Sequence, residues 1–219
     1  MKTYYICGSG VGLLLLAGTA SAAYQGMSAD LHATSAYGNT YRIYVDLDAG
    51  DRLDAVYGSS ENGLVLGGTG VYQNGFGGNM STDINPLLLG AFPSLEYDSW
   101  VTIGLVSQDS TGDGFPDGGN ALSQQGVDFS GFGDEVNTNN GSWYVTPDDA
   151  QGAEIDGRVL IAQLTLVDGV EGDLYGNLNF QGKDADGGTW SATDQWLPAP
   201  GALALLGLAG IAGRRRRRA

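Results

Sequence analysis

The sequence predicts an all-β fold, a single antiparallel β-sandwich over residues 23–196, and three observations favour it. Short runs of β-branched and aromatic residues alternate with polar residues, which is the period of a half-buried strand. Clusters of Gly, Asn and Asp separate these runs, and the 219-residue chain holds 37 Gly, which favours many tight turns. No stretch of ten residues has a helical amphipathic period. A barrel would show the same alternation and stays open as an alternative.

Seven runs have the strand pattern, and the stretch between the last two tryptophans adds a final strand. The seven runs are 41–47, 53–57, 64–66, 100–106, 142–146, 158–167 and 173–180. Between the last two of these lies Asp168-Gly169, a dipeptide that adopts positive φ angles and predicts a hairpin turn. The segments 67–85 and 107–140 are rich in Gly, Asn and Asp, and we expect them to form loops at an end of the sandwich, where binding residues often lie.

The charge distribution excludes several classes of partner and chemistry. All 25 acidic residues lie between Asp30 and Asp194, where only four basic residues accompany them, so this region has a formal charge of −21. Nucleic acid binding is excluded because it depends on clustered Lys and Arg. The only cysteine, Cys7, lies in the N-terminal segment, so a chain without that segment has no disulfides, no thiolate metal ligands and no cysteine nucleophile.

The first 22 residues have the pattern of a secretory signal peptide. Lys2 precedes the apolar stretch 11–17, and the segment closes on Ala20-Ser21-Ala22, the small-x-small sequence that signal peptidase accepts. We therefore expect an N-terminal signal helix that is removed by cleavage after Ala22, and export of the remaining chain.

The last 23 residues, 197–219, have the pattern of a membrane anchor. The uncharged segment 201–213 predicts a short transmembrane helix, assisted by a locally thinned bilayer. A run of arginines follows, which predicts a stop-transfer signal that keeps the C-terminus in the cytoplasm. The run consists of Arg214, Arg215, Arg216, Arg217 and Arg218.

A Pro-x-Pro element, Pro198-Ala199-Pro200, precedes the apolar span and the arginine run, and the three parts together resemble the PEP-CTERM sorting signal of Gram-negative bacteria. Ala199 stands where that family has Glu. The resemblance covers residues 196–219 only. It implies recognition and cleavage of the tail by a membrane protease of the exosortase class, passage from the inner membrane to the cell surface or extracellular matrix, and a role in biofilms that contain exopolysaccharide.

One local pattern predicts a calcium site. The loop 109–120 has acidic residues at positions 1, 5 and 9, a hydroxyl at position 3 and Gly at position 6, and it resembles the short calcium loops of EF-hand and thrombospondin type 3 modules. Its twelfth residue is Asn120 rather than a bidentate Glu, and an ordinary Gly/Asp turn is the alternative. The predicted calcium ligands are Asp109, Thr111, Asp113 and Asp117.

For residues 23–196, the predicted sandwich, which we call the body, we expect a noncatalytic role. The role is structural or adhesive in the envelope or biofilm matrix, with polysaccharide as a candidate ligand. His32 is the only histidine, and no Gly-x-Ser-x-Gly elbow accompanies it, so a serine triad is not indicated. The alternative is a secreted glycan hydrolase that uses a carboxylate pair. The candidates for that pair are the Asp residues together with Glu61, Glu96, Glu135, Glu154 and Glu171.

Overall fold

A computed structural model describes residues 23–116 and 118–197 of the chain. The predicted signal helix and transmembrane helix lie outside these residues, and so do the predicted cleavage residues Ala20 and Ala22, the Pro198-Ala199-Pro200 element and the arginine run. Within the two described ranges, no helix is long and apolar enough to span a membrane.

The described residues form eleven β-strands and five short 3-10 helices. The strands are β1 (Tyr24–Ser35), β2 (Gly38–Leu47), β3 (Arg52–Gly58), β4 (Leu64–Gly68), β5 (Trp100–Val101), β6 (Ser123–Gln125), β7 (Glu135–Thr138), β8 (Gly141–Tyr144), β9 (Arg158–Leu166), β10 (Leu174–Lys183) and β11 (Thr189–Trp196). The 3-10 helices are Ser81–Asp83, Pro86–Leu88, Pro93–Tyr97, Ala150–Gly152 and Glu171–Asp173.

The strands assemble into two antiparallel sheets. The first has the order β1-β2-β9-β5. In the second, Asn177 of β10 pairs with both Val65 of β4 and Trp196 of β11, and Phe180 pairs with both β3 and β11. Therefore β3 and β4 follow one another along a single edge of β10, and β11 occupies the opposite edge. This confirms the predicted all-β, antiparallel class.

One hydrophobic core fills the space between the sheets. Strand β2 shows the expected alternation, because Tyr41, Ile43 and Val45 are buried in this core while the residues between them are only partly buried. Trp143 of β8 and Phe180 of β10 enter the same core from the second sheet, and both are fully buried. The arrangement is the predicted sandwich and not the barrel alternative.

Six of the seven strand predictions are confirmed to within a few residues, and the prediction for 100–106 is wrong beyond Val101. There the chain keeps two backbone hydrogen bonds to β9, from Thr102 N to Ile161 O at 2.8 Å and from Gly104 N to Leu160 O at 2.9 Å, but Thr102 Oγ1 donates to Leu105 O and Gly104 has a φ of +78°. A strand cannot continue through that backbone conformation. The sequence pattern also missed β1, whose residues are mostly small and polar, and the short strands β6 and β7.

The hairpin predicted at Asp168-Gly169 is also wrong, although the first of its two residues has the expected positive φ. The φ of Asp168 is 61°. However, β9 belongs to the first sheet and β10 to the second, so the turn carries the chain between sheets instead of joining paired strands.

The outer face of the first sheet is covered by the chain that precedes and follows β5. A second hydrophobic cluster, made of Ile84, Leu95, Trp100 and Leu160, packs the segment 81–97 onto this face. Strand β9 is consequently buried along almost its whole length, from Val159 to Leu166. The predicted loop 107–140 is therefore not confined to an end of the sandwich, because its first part lies over the same face.

A buried carboxylate fixes the loop that leads into this covering segment. The Asp98 side chain is inaccessible to solvent and accepts backbone N–H bonds from Asn74 at 2.6 Å, from Gly78 at 3.0 Å and from Ser99 at 3.0 Å. Gly77 passes so close to the carboxylate that no β-carbon would fit there. The Asp98 carboxylate thus supplies the acceptors that the backbone around residues 74–78 lacks.

Candidate functional site

A groove crosses the outer face of the first sheet, and we name it the Arg42 groove. It consists of two adjoining cavities of about 300 and 200 Å³ that share Arg42, Val106 and Asp113. Strands β2 and β9 form its floor, and the chain on either side of β5 forms its walls. The first cavity is also lined by Tyr44, Gly104, Phe115, Ile155, Asp156, Arg158, Val159 and Leu160.

Strand alternation explains why polar side chains meet on this floor. Because Tyr41, Ile43 and Val45 face the core, Arg42 and Tyr44 must face outwards. The pairing of β2 with β9 also shifts register between Ile43 and Tyr44. Such a bulge redirects side chains locally and is common next to binding sites.

Arg42 is held in place by a buried glutamine. The Arg42 Nε donates to Gln163 Oε1 at 3.1 Å. The Gln163 side chain is itself fixed, since its Nε2 donates to the carbonyl oxygens of Glu96 at 3.0 Å and Asp98 at 2.9 Å. Among the described residues, the structure shows no acceptor for the two terminal nitrogens of Arg42. The Arg42 guanidinium is therefore held in one orientation, and the N–H donors on its two terminal nitrogens remain available for a ligand.

The other two arginines of the described chain already have carboxylate partners. Arg52 Nε lies 2.6 Å from Asp54 Oδ1. Arg158 Nη1 lies 2.5 Å from Asp30 Oδ2, and its guanidinium carbon stacks 3.9 Å from the centre of the Tyr44 ring. The cation–π contact and the ion pair together hold Arg158 against the floor of the groove.

Asp113 provides the acceptor side of the groove. Burial raises the pKa of its carboxyl group, although the Val106 N–H and the charge of Arg42 act in the opposite direction. Within the described chain, no Asp113 oxygen lies within ion-pair distance of Arg42. The donor and the acceptor therefore both line the same cavities without neutralising each other by direct contact.

An aromatic side chain, Phe115, lines the groove at a point where a glycine makes room for it. A β-carbon on Gly104 would lie 3.1 Å from Phe115 Cζ, so the ring packs against bare backbone. Phe115 is half-buried and lines the first cavity together with Tyr44. Among the other aromatic side chains, Trp143 is in the core, and Phe76 stacks on Phe92 and does not line the groove.

No protein-family model, no curated protein and no solved structure matches this chain. Function is therefore inferred from the chemistry of the Arg42 groove and from the sequence.

Three of the four predicted calcium ligands line the second cavity, namely Asp109, Thr111 and Asp113. Asp109 Oδ1 accepts the Thr111 N–H at 3.1 Å, and Asp113 Oδ2 accepts the Val106 N–H at 3.4 Å. Asp117 lies outside the described residues. Among those that are described, no three His, Cys, Asp or Glu side chains are grouped as a metal site would require. Calcium binding by this loop stays a prediction.

The histidine and the glutamates considered as catalytic candidates do not lie together in one site. His32 lies on the edge strand β1, where the register with β2 shifts, and burial lowers its pKa with help from the charge of Arg42. Glu96 lines the second cavity. The lining of the groove does not include Glu61, Glu135, Glu154 or Glu171.

Sequence reasoning missed Arg42, Tyr44, Arg158 and Gln163 as site residues. The signal for Arg42 and Tyr44 was present, because both occupy the outward positions of a strand whose inward positions are apolar. An outward position on a sandwich normally means exposure to solvent. The strand pattern could not predict that loops distant in sequence cover this face and convert it into a groove.

Proposed function

We propose that this chain is a noncatalytic, exported cell-surface protein that binds polysaccharide in the Arg42 groove and serves an adhesive or structural role in the envelope or biofilm matrix. The observation that supports the proposal is the groove itself, which combines guanidinium donors, a carboxylate acceptor and aromatic surface within two connected cavities.

Sugars fit this combination of groups. Each sugar hydroxyl both donates and accepts hydrogen bonds, so a site with Arg42 as donor and Asp113 as acceptor satisfies both capacities. The C–H face of a pyranose ring is apolar and packs on an aromatic side chain such as Phe115. A cleft with apolar walls and a few convergent polar groups is the usual form of a small-molecule site.

The surface location is the second part of the proposal. It is supported by the signal-peptide pattern and by the tail that resembles a PEP-CTERM signal. Signal peptidase, an exosortase-type protease and the inner membrane are the proposed partners. The fold is compatible with processing near Pro198–Pro200, since the last described residue, Leu197, is buried in the core and donates its N–H to Gly176 O at 3.0 Å.

Deletion of Arg214–Arg218 tests the anchor. We expect the truncated chain to leave the inner membrane fraction without processing, because the arginines are the proposed cytoplasmic stop. Fractionation of cells that express the full-length and truncated chains measures this. A truncated chain that stays with the membranes at the size of the full-length form would show that the arginine run does not anchor it.

A glycan-binding experiment tests the proposed noncatalytic binding of polysaccharide by the body. We expect the mature chain (residues 23–219), purified in mild detergent, to bind members of a glycan array and to release no reducing ends from them. The Asp113→Asn variant should lose at least fivefold in affinity, because a charged hydrogen-bond acceptor is replaced by an amide. Asp148→Asn is the matched control, since Asp148 is exposed and does not line the groove. An array without a bound glycan would refute the proposed function.

A carboxylate-pair hydrolase is the second candidate, favoured by one observation. Asp113 and Asp156 line the same cavity, and burial raises the pKa of Asp113, as a general acid requires. Release of reducing ends by the wild-type chain, abolished in Asp113→Asn and retained in Asp148→Asn, would replace the noncatalytic proposal with this one.

A further inference from the structure

An arginine without a carboxylate partner is unusual in so acidic a body. The region from Asp30 to Asp194 has 25 acidic residues against four basic ones. Arg52 and Arg158 each form an ion pair, at 2.6 and 2.5 Å. For Arg42, the described part of the chain supplies no acidic oxygen within ion-pair distance. Lys183 also forms no ion pair with the described residues, but it lies outside the groove, whereas the unpaired Arg42 lines both cavities and can bind an external anion there.

The geometry around Arg42 restricts which anion fits. Gln163 accepts from Nε at 3.1 Å and is itself held by two backbone carbonyls, so the guanidinium plane has a fixed orientation. The edge that carries the two terminal nitrogens is left for the ligand. Two parallel N–H donors in one plane match the two oxygens of a carboxylate, which is the geometry of a bidentate arginine–carboxylate pair.

The rest of the groove determines what carries the carboxylate. Asp113 can accept a hydrogen bond from a hydroxyl, and the half-buried ring of Phe115 adds apolar surface to the same cavity. A sugar acid has a carboxylate, hydroxyls and an apolar ring face in one unit. We propose that the Arg42 groove binds the uronic acid unit of a polysaccharide, with the sugar carboxylate on the terminal nitrogens of Arg42.

The negative charge of the body further restricts which polysaccharides can bind in the groove. A formal charge of −21 repels a densely charged polyanion over the Debye length of about 8 Å at physiological salt. One isolated carboxylate that docks directly on Arg42 is attracted at contact distance and is repelled by the acidic residues of the cavity lining, Glu96, Asp109, Asp113 and Asp156, whereas each further carboxylate of a polyanion meets only repulsion. The preferred ligand is therefore a largely neutral polysaccharide with widely spaced uronic acid units, not a continuous polyuronate.

This inference rests on the proposed function, and a matched pair of ligands separates the two. The probes are a xylan oligosaccharide with a single glucuronic acid branch and the same oligosaccharide after reduction of its carboxyl group to an alcohol. Titration calorimetry on the mature chain in detergent measures both affinities. We expect the acidic form to bind at least tenfold more tightly, because only that form can make the bidentate pair with Arg42.

Two substitutions assign that difference to Arg42. Arg42→Gln should reduce the affinity for the acidic form to that for the reduced form, and Arg42→Lys should lose most of the preference because lysine keeps the charge but not the planar pair of donors. Lys183→Gln is the control, because it removes one positive charge on β10, outside the groove, and should leave the preference unchanged.

Equal affinities for the acidic and reduced forms would overturn the inference while leaving polysaccharide binding intact, and so would a preference that survives in Arg42→Gln. Tighter binding of a continuous polyuronate or of a sulfated oligosaccharide would also overturn it. Absence of binding to every glycan tested would refute both the inference and the proposed function. The wild-type comparison between the two ligands decides the question even where an Arg42 variant fails to fold.

Discussion

Asp98→Ala is expected to lower the free energy of unfolding by about 3–5 kcal/mol. The substitution removes the acceptor of two buried backbone N–H groups, on Asn74 and Ser99, and of the part-buried N–H of Gly78, and each unsatisfied buried donor costs about 1–3 kcal/mol. Urea unfolding of the mature chain measures the change. Asp148→Ala, at an exposed carboxylate, should change stability by less than about 0.5 kcal/mol.

The pH dependence of stability gives a second readout of the same group. Burial raises the pKa of Asp98 from 3.8 to about 6, against the effect of its three N–H donors. The folded state therefore binds the proton more tightly than the unfolded state, and the contribution of this group to stability falls as pH rises from about 4 to about 6.

Asp98→Asn removes this titration while it keeps one oxygen acceptor. We expect the stability of wild type relative to Asp98→Asn to increase on acidification from pH 7 to pH 4, by about 3 kcal/mol at most. A difference that does not change over this range, together with a small effect of Asp98→Ala, would mean that water and not Asp98 satisfies these donors.

Gly104→Ala is the second substitution with a large expected effect, about 3 kcal/mol or more of lost stability. The new β-carbon would lie 2.1 Å from the carbonyl oxygen of Gln151 and 3.1 Å from Phe115 Cζ. Gln151 cannot move away easily, because its Nε2 donates to Ile103 O at 2.7 Å. The positive φ of Gly104 adds a backbone cost for any residue with a side chain.

A second glycine separates the two causes. Gly112 has a similar φ of +87°, but a β-carbon there would meet nothing within 4 Å, so Gly112→Ala should cost only the backbone term, about 1–2 kcal/mol. Unfolding of both variants measures the difference. Equal effects at the two positions would show that the chain around Gln151 and Phe115 yields without penalty. Since Gly104 and Phe115 line the groove, we also expect Gly104→Ala to weaken glycan binding.

The fold class could be predicted because strand alternation is a local property. Residues 41–47 specify by themselves which side chains face the core, and the structure confirms it. Strand β1 could not be predicted in the same way, since an edge strand of small polar residues buries little. The passage of the chain from the first sheet to the second at Asp168 could not be predicted either, because an Asp-Gly dipeptide occurs both in hairpin turns and in connections between sheets.

The candidate site was less predictable because it depends on contacts between distant parts of the chain. The sequence drew attention to Asp109, Thr111 and Asp113, which do line the groove, but as calcium ligands. It gave no reason to join them with Arg42, because a sheet pairing and a covering loop bring these residues to the same cavities. Nothing in the sequence distinguishes Asp98 from the other 24 acidic residues, and only the structure shows that its side chain is buried.

The position of β11 has a mechanical consequence for an anchored protein. Within the described chain β11 pairs only with β10, in the second sheet, whereas the Arg42 groove lies on the outer face of the first sheet. If the tail holds the protein at the membrane and a matrix polymer occupies the groove, tension between them enters the body at Leu197. It then passes through the β10–β11 hydrogen bonds and crosses the hydrophobic core before it reaches the ligand. In that arrangement the resistance to pulling would depend on the β10–β11 pairing, on the contacts of β11 with β1 and the core, and on the packing of the two sheets.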